Sequence, residues 1–100
     1  MNYLPDQLSG ADLEILVPLL SHEQHGWTGR FHGLTLRTAL QPIFSISHKR
    51  IIGYEALIRA FDPDNASVPP FQLFDLPASD QENILLDRLC RLLHIRNYAS

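Results

Sequence analysis

The chain has a single cysteine, Cys90, so no disulfide can form within it. In a leucine-rich helical pattern such a thiol reads as a small buried hydrophobe, and its solitary use fits a reducing compartment. Long apolar runs are missing as well. The longest, residues 15–20, is interrupted by Pro18 and is far too short to cross a bilayer. The N-terminus has no basic segment followed by an apolar one, so no signal peptide is expected. Positive charge is not in excess: the formal net charge is −3, which excludes a global basic field that would recruit DNA or RNA. No internal repeat and no low-complexity tract is present. What remains is a chain with the character of a cytoplasmic globular protein. Its 100 residues suffice for one small domain or part of a larger one.

The N-terminal third, residues 1–35, reads as a helical lead-in followed by a linker. Ser9-Gly10-Ala11-Asp12 has the form of a capping box. Ala11, Leu13, Ile15, Leu16, Leu19 and Leu20 form a rough helical stripe behind it, which Pro18 should end or kink. Residues 21–34 are polar and contain Gly26, Gly29 and Gly33, so they are expected to be a linker anchored by Trp27 and Phe31. His22 and His25 are spaced to share a metal on a helix, but no cysteine or acidic cluster accompanies them.

From Leu36 the pattern changes. Leu36, Ala39, Leu40, Ile43, Phe44 and Ile46 form one apolar run with Gln41 and Pro42 inside it. Ser47-His48-Lys49-Arg50 is a short polar break, read as a solvated turn, and a second apolar run goes from Ile51 to about Phe61. Two such runs around a short break predict a β-hairpin. Pro42 places the first strand at an edge or close to its own start. A helix competes for residues 54–61, where Glu, Ala, Leu and Arg are all helix formers. Residues 62–70 carry almost every turn-forming residue and predict a loop. Asp62-Pro63-Asp64-Asn65 has a faint likeness to a calcium loop but lacks the central glycine and the closing glutamate. Residues 70–76 are expected to make one helical turn with Phe71, Leu73 and Phe74 inward. A second capping box, Ser79-Asp80-Gln81-Glu82, opens a helix whose Leu85, Leu86, Leu89, Leu92 and Leu93 follow helical spacing. Asp87 falls on its polar side. Helix, strand, strand, loop, helix is the order of an α/β protein.

Inside the second apolar run stand two charges, Glu55 and Arg59. On a strand they share one face with Leu57, because strand side chains alternate. On a buried face such charges need a partner, a metal or a ligand. On a helix they would be an ordinary i, i+4 ion pair.

Gln41-Pro42-Ile43, Gly53-Tyr54-Glu55-Ala56-Leu57-Ile58-Arg59, the proline-rich loop ending in Phe71 to Phe74, and the helix bearing Leu86-Asp87 together resemble the opening of the EAL domain. That family hydrolyses the bacterial second messenger cyclic di-GMP to the linear dinucleotide. The resemblance covers about residues 38–100, and residues 36–100 are accordingly expected to be the N-terminal part of such a domain. It implies a TIM-like (β/α)8 barrel whose first strand is antiparallel to its neighbour, with active-site residues at strand C-terminal ends. It implies that Glu55 is a metal ligand for Mg²⁺ or Mn²⁺, that Gln41 contacts a guanine edge, that Leu57 is an apolar wall and that Arg59 contacts the dinucleotide. Hard cations take carboxylate and amide oxygens, and a guanidinium suits phosphate oxygens.

A whole barrel takes about 250 residues. At Ser100 the strand with the family's asparagine ligand has not been reached, and the later aspartate pair, glutamates and lysine have no counterpart. No complete catalytic set is therefore expected. Two functions fit: the N-terminal portion of a cyclic di-GMP phosphodiesterase, inactive by itself, or a catalytically dead EAL-like module for binding or protein interaction. Under either, exposed strand edges and apolar faces are expected to drive self-association.

Overall fold

The structure, a computed structural model, describes residues 10–24 and 26–99. Helix α1, Gly10–Leu16, runs into a single 3-10 turn, Val17–Leu19, where Pro18 sits in the first turn and ends the α-helix as its ring requires. Strands β1, Leu20–Glu23, β2, Gly26–Phe31, β3, Leu34–Ser45, and β4, Arg50–Phe61, follow in succession. A short β5, Ser67–Val68, precedes the single-turn helix α2, Pro70–Leu73, and the long C-terminal helix α3, Asp80–Ala99. The five strands form one open sheet in sequence order, each pair antiparallel. No helix among the described residues is long and apolar enough to cross a membrane.

The hairpin predicted over residues 36–61 is present and is longer than expected, and residues 54–61 are strand, not helix. The linker expected at 21–34 is not: its described residues make most of β1, all of β2, the turn between β2 and β3, and the start of β3. The β2–β3 connection is the two-residue turn His32-Gly33, with φ of 48° and 77°. Two consecutive left-handed residues are what a tight hairpin demands, and glycine takes the second without strain. His32 holds its place by a 2.8 Å contact from Nε2 to Glu82 Oε1. Ser9, the cap expected for α1, and His25 lie outside the described residues. His22 is on β1, its ring 4.9 Å from that of Trp27, and no group of three or more metal-ligating side chains gathers among the described residues.

The core lies between one face of the sheet and the helices. Phe31, Leu34, Leu36 and Ala60 supply the sheet side; Leu16, Leu73, Leu86, Leu89, Cys90, Leu92 and Leu93 supply the helical side. Burial pushes the Cys90 thiol up to about 12, so it is an inert core residue. The second capping box is half realised. Ser79 Oγ accepts from Glu82 N at 3.2 Å, while the Glu82 carboxylate reaches past the cap to accept from Ala78 N at 3.2 Å. Asp87 is an exposed i, i+4 partner of Arg91 at 3.0 Å. In α2 the expectation is corrected: Leu73 is fully buried, but Phe71 and Phe74 are 73% and 50% exposed. A four-residue helix presents one side to the core, and the hydrogen bond from Phe74 N to Pro70 O ends it there.

Candidate functional site

Alternation along β3 and β4 separates two faces. The even-numbered Leu34, Leu36 and Ala60 are buried beneath the helices. The odd-numbered residues face the other way, and the ladder sets them opposite one another in pairs: Thr35 with Phe61, Arg37 with Arg59, Ala39 with Leu57, Gln41 with Glu55. All four residues expected from the sequence are therefore on one face, with Gln41 and Glu55 directly across from each other. Gln41, Glu55 and Arg59 are exposed and Leu57 is half-buried. The face is open, so the burial cost expected for its charges does not arise. The helical alternative, a Glu55–Arg59 ion pair, is also removed: four residues along a strand separate the two by about 13 Å. Arg59 instead donates from one terminal nitrogen to the carbonyl of Ile58 at 3.3 Å.

The remaining motifs resolve as structure. His48 closes its turn through Nδ1, 2.9 Å from Ser45 Oγ, with Lys49 in the left-handed region at φ 54°. Asp62 Oδ1 accepts from Asp64 N and Ala66 N, both at 2.9 Å, which makes residues 62–66 a self-capped turn.

A cleft of about 430 Å³ opens between β2 and β3 and includes none of the four expected residues. The two strands pair only from Gly29–Leu36 to Phe31–Leu34 and then splay. Asn97 of α3 fills the gap as a surrogate strand. Its Oδ1 accepts from Trp27 N at 2.7 Å, and its Nδ2 donates to Trp27 O and to Thr38 Oγ1, both at 3.0 Å. Thr38 Oγ1 is in turn 2.8 Å from Nδ1 of the buried His94. Thr38 Oγ1 thus links Asn97 to His94, donating to Nδ1 or accepting from it according to the imidazole tautomer. Burial holds His94 below its ordinary value, so the ring is neutral there. Arg96 covers the Trp27 ring from 4.9 Å. Nothing in the sequence marked this knot, because its members lie 59 and 70 residues apart.

The family model for the EAL domain matches residues 27–99. The chain belongs to the EAL domain family, a cyclic di-GMP phosphodiesterase family that is generally metal-dependent. The match begins in β2 and so takes in the splayed cleft as well as the hairpin. Comparison with curated proteins and with solved structures found no match. A hard divalent cation requires about six oxygen ligands. The open face offers the Glu55 carboxylate and, across the ladder, the Gln41 amide oxygen. That is one carboxylate and one amide oxygen, so water, substrate or further side-chain oxygens would have to complete the shell of a Mg²⁺ or Mn²⁺ held there.

Proposed function

We propose that this chain carries the opening of a cyclic di-GMP phosphodiesterase barrel, with β3, β4 and α3 as its first elements, and that by itself it does not hydrolyse cyclic di-GMP and binds it weakly at most. In this reading Gln41 contacts a guanine edge, Arg59 a phosphodiester, Leu57 forms the apolar wall between them, and Glu55 is one ligand of a metal whose other ligands are not in this chain. The observation that carries it is the direct pairing of Gln41 with Glu55 on the open face that also bears Leu57 and Arg59. Two residues 14 positions apart in sequence are brought side by side on that face, which supports this reading. The expected result of a phosphodiesterase assay with Mg²⁺ or Mn²⁺ is no turnover above background. Metal-dependent release of linear dinucleotide from cyclic di-GMP by this chain would overturn the reading.

The second reading, a catalytically dead interaction module, is supported by the outer half of the hairpin. There Phe44, Ile46 and Ile52 are 58%, 86% and 59% exposed. Calorimetric titration separates the two. Measurable cyclic di-GMP binding that Gln41→Ala weakens favours the first, and its absence favours the second.

A further inference from the structure

Arg37 and Arg59 are directly opposite in the β3–β4 ladder, on the open face, and both are exposed. Like charges in a cross-strand pair repel and are destabilising. Neither guanidinium has an ion-pair partner among the described residues. Glu55, on the same face, is about 13 Å along the strand from Arg59, and the Glu23 carboxylate contacts the Thr28 hydroxyl at 3.3 Å. Arg37 is instead held over the Phe61 ring, 5.2 Å from its centroid. Phe61 is its diagonal neighbour, so the contact fixes the guanidinium on this face while leaving its nitrogens free to donate. Arg30 is exposed on the same face, opposite Thr35 in the next strand. Alternation thus puts three arginines on adjoining strands of one uncovered surface, in a chain whose net charge is −3.

We propose that Arg37 and Arg59 together form a binding site for a phosphate monoester dianion, with Arg30 adding to its field. Two arginines paired across the ladder can turn two planar forks towards one ligand, which suits a terminal phosphate with three free oxygens and two charges. A phosphodiester has two free oxygens and one charge, so it can satisfy one arginine and leaves the other repelled. This deepens the proposed function and rests on it in one respect. On that reading the site favours the linear dinucleotide, which ends in a phosphate monoester, over the cyclic one, which has none.

Titration of the 100-residue chain with inorganic phosphate and with dimethyl phosphate, at matched ionic strength and followed by backbone amide NMR, tests the site. Phosphate is expected to move the Arg37, Arg59 and Phe61 amides together and to bind at least about fivefold more tightly than dimethyl phosphate. Arg37→Glu turns the repelling pair into an ion pair. It is expected to keep or raise the urea midpoint while abolishing phosphate binding, and Arg50→Gln, at the far end of the hairpin, is expected to change neither. The proposal is overturned if phosphate leaves the Arg37 amide unmoved, if dimethyl phosphate binds as tightly, or if Arg37→Glu binds phosphate like the parent. Inorganic phosphate has no guanine, so these outcomes are independent of the cyclic di-GMP reading, which Gln41→Ala tests separately.

Discussion

His94 is a buried titratable residue whose chemistry the fold alters. It is 6% exposed, packed in α3 against the sheet, with Thr38 at its Nδ1. Burial penalises the imidazolium and holds the group below its ordinary 6.5. Unfolding restores the ordinary value, so on acidification the unfolded chain takes up a proton that the folded chain resists. Stability is then complete above about 6.5 and is lost as pH falls below it towards the depressed folded value. The Glu82 carboxylate is also lowered, chiefly by its hydrogen bond to His32, but its contribution is lost in a separate window below 4.5. Urea midpoints measured at pH 7.5 and 5.5 are expected to fall on acidification for the parent chain. His94→Asn, which cannot take up a proton, is expected to flatten that dependence. A parent midpoint that is the same at both values contradicts the assignment.

Among the elements, α3 is attached to the sheet by a polar weld as well as by leucines. Asn97 occupies the two backbone groups of Trp27 that β3 would have paired, and this approach is possible only because residue 26 is glycine. A Cβ there would come within 2.7 Å of Asn97 Oδ1, and its φ of 126° is outside the range other residues adopt. Gly26→Ala is therefore expected to cost about 1–3 kcal/mol, read as a lower urea midpoint with unchanged far-ultraviolet dichroism. An unchanged midpoint would show that the weld is unimportant. The same glycine explains a misreading. In the sequence Gly26, Gly29 and Gly33 look like a flexible linker, whereas each serves β2. Gly26 admits Asn97, Gly29 lies against Leu89, where a Cβ would be 3.5 Å from it, and Gly33 completes a hairpin turn. A two-residue turn of His and Gly between Phe31 and Leu34 was the available local signal. The elements that were legible, the β3–β4 hairpin and α3, have strong periodicity and a clear break or cap. The face shared by Glu55, Leu57 and Arg59 was legible too, because strand alternation alone fixes it, whereas Gln41 joins it through the β3–β4 register. Its openness was not, since that depends on which face the distant α3 covers. Nor was the pairing of Arg37 with Arg59, which needs the register.

For the molecule as a whole, the hairpin is longer than its support. The radius of gyration is 14.5 Å, with extents of 44 × 34 × 28 Å, against about 13 Å for a compact chain of this length. β3 and β4 pair over residues 35–45 and 50–61, but the buried sheet residues stop at Leu36 and Ala60. Beyond them Leu40, Phe44, Ile51 and Tyr54 are 45%, 58%, 50% and 48% exposed. β4 is also nearly an edge strand, since β5 pairs with Ala60 and Phe61 alone. Unpaired edges and exposed apolar surface each favour association with another chain. Some protection is built in. The pairing skips Ile52 between the Ile43–Gly53 and Phe44–Ile51 pairs, a bulge that disrupts the edge, and Lys49 and Arg50 charge the tip. These devices are local, whereas the apolar surface extends along the arm, so attraction should prevail at high concentration. Sedimentation velocity over a concentration series is expected to show reversible self-association. Ile52→Lys, which adds a charge to the open edge without touching the core, is expected to weaken it by about tenfold, equivalent to roughly 1.4 kcal/mol. A parent chain that remains monomeric at every concentration contradicts the argument, and so does an Ile52→Lys variant that associates as readily as the parent.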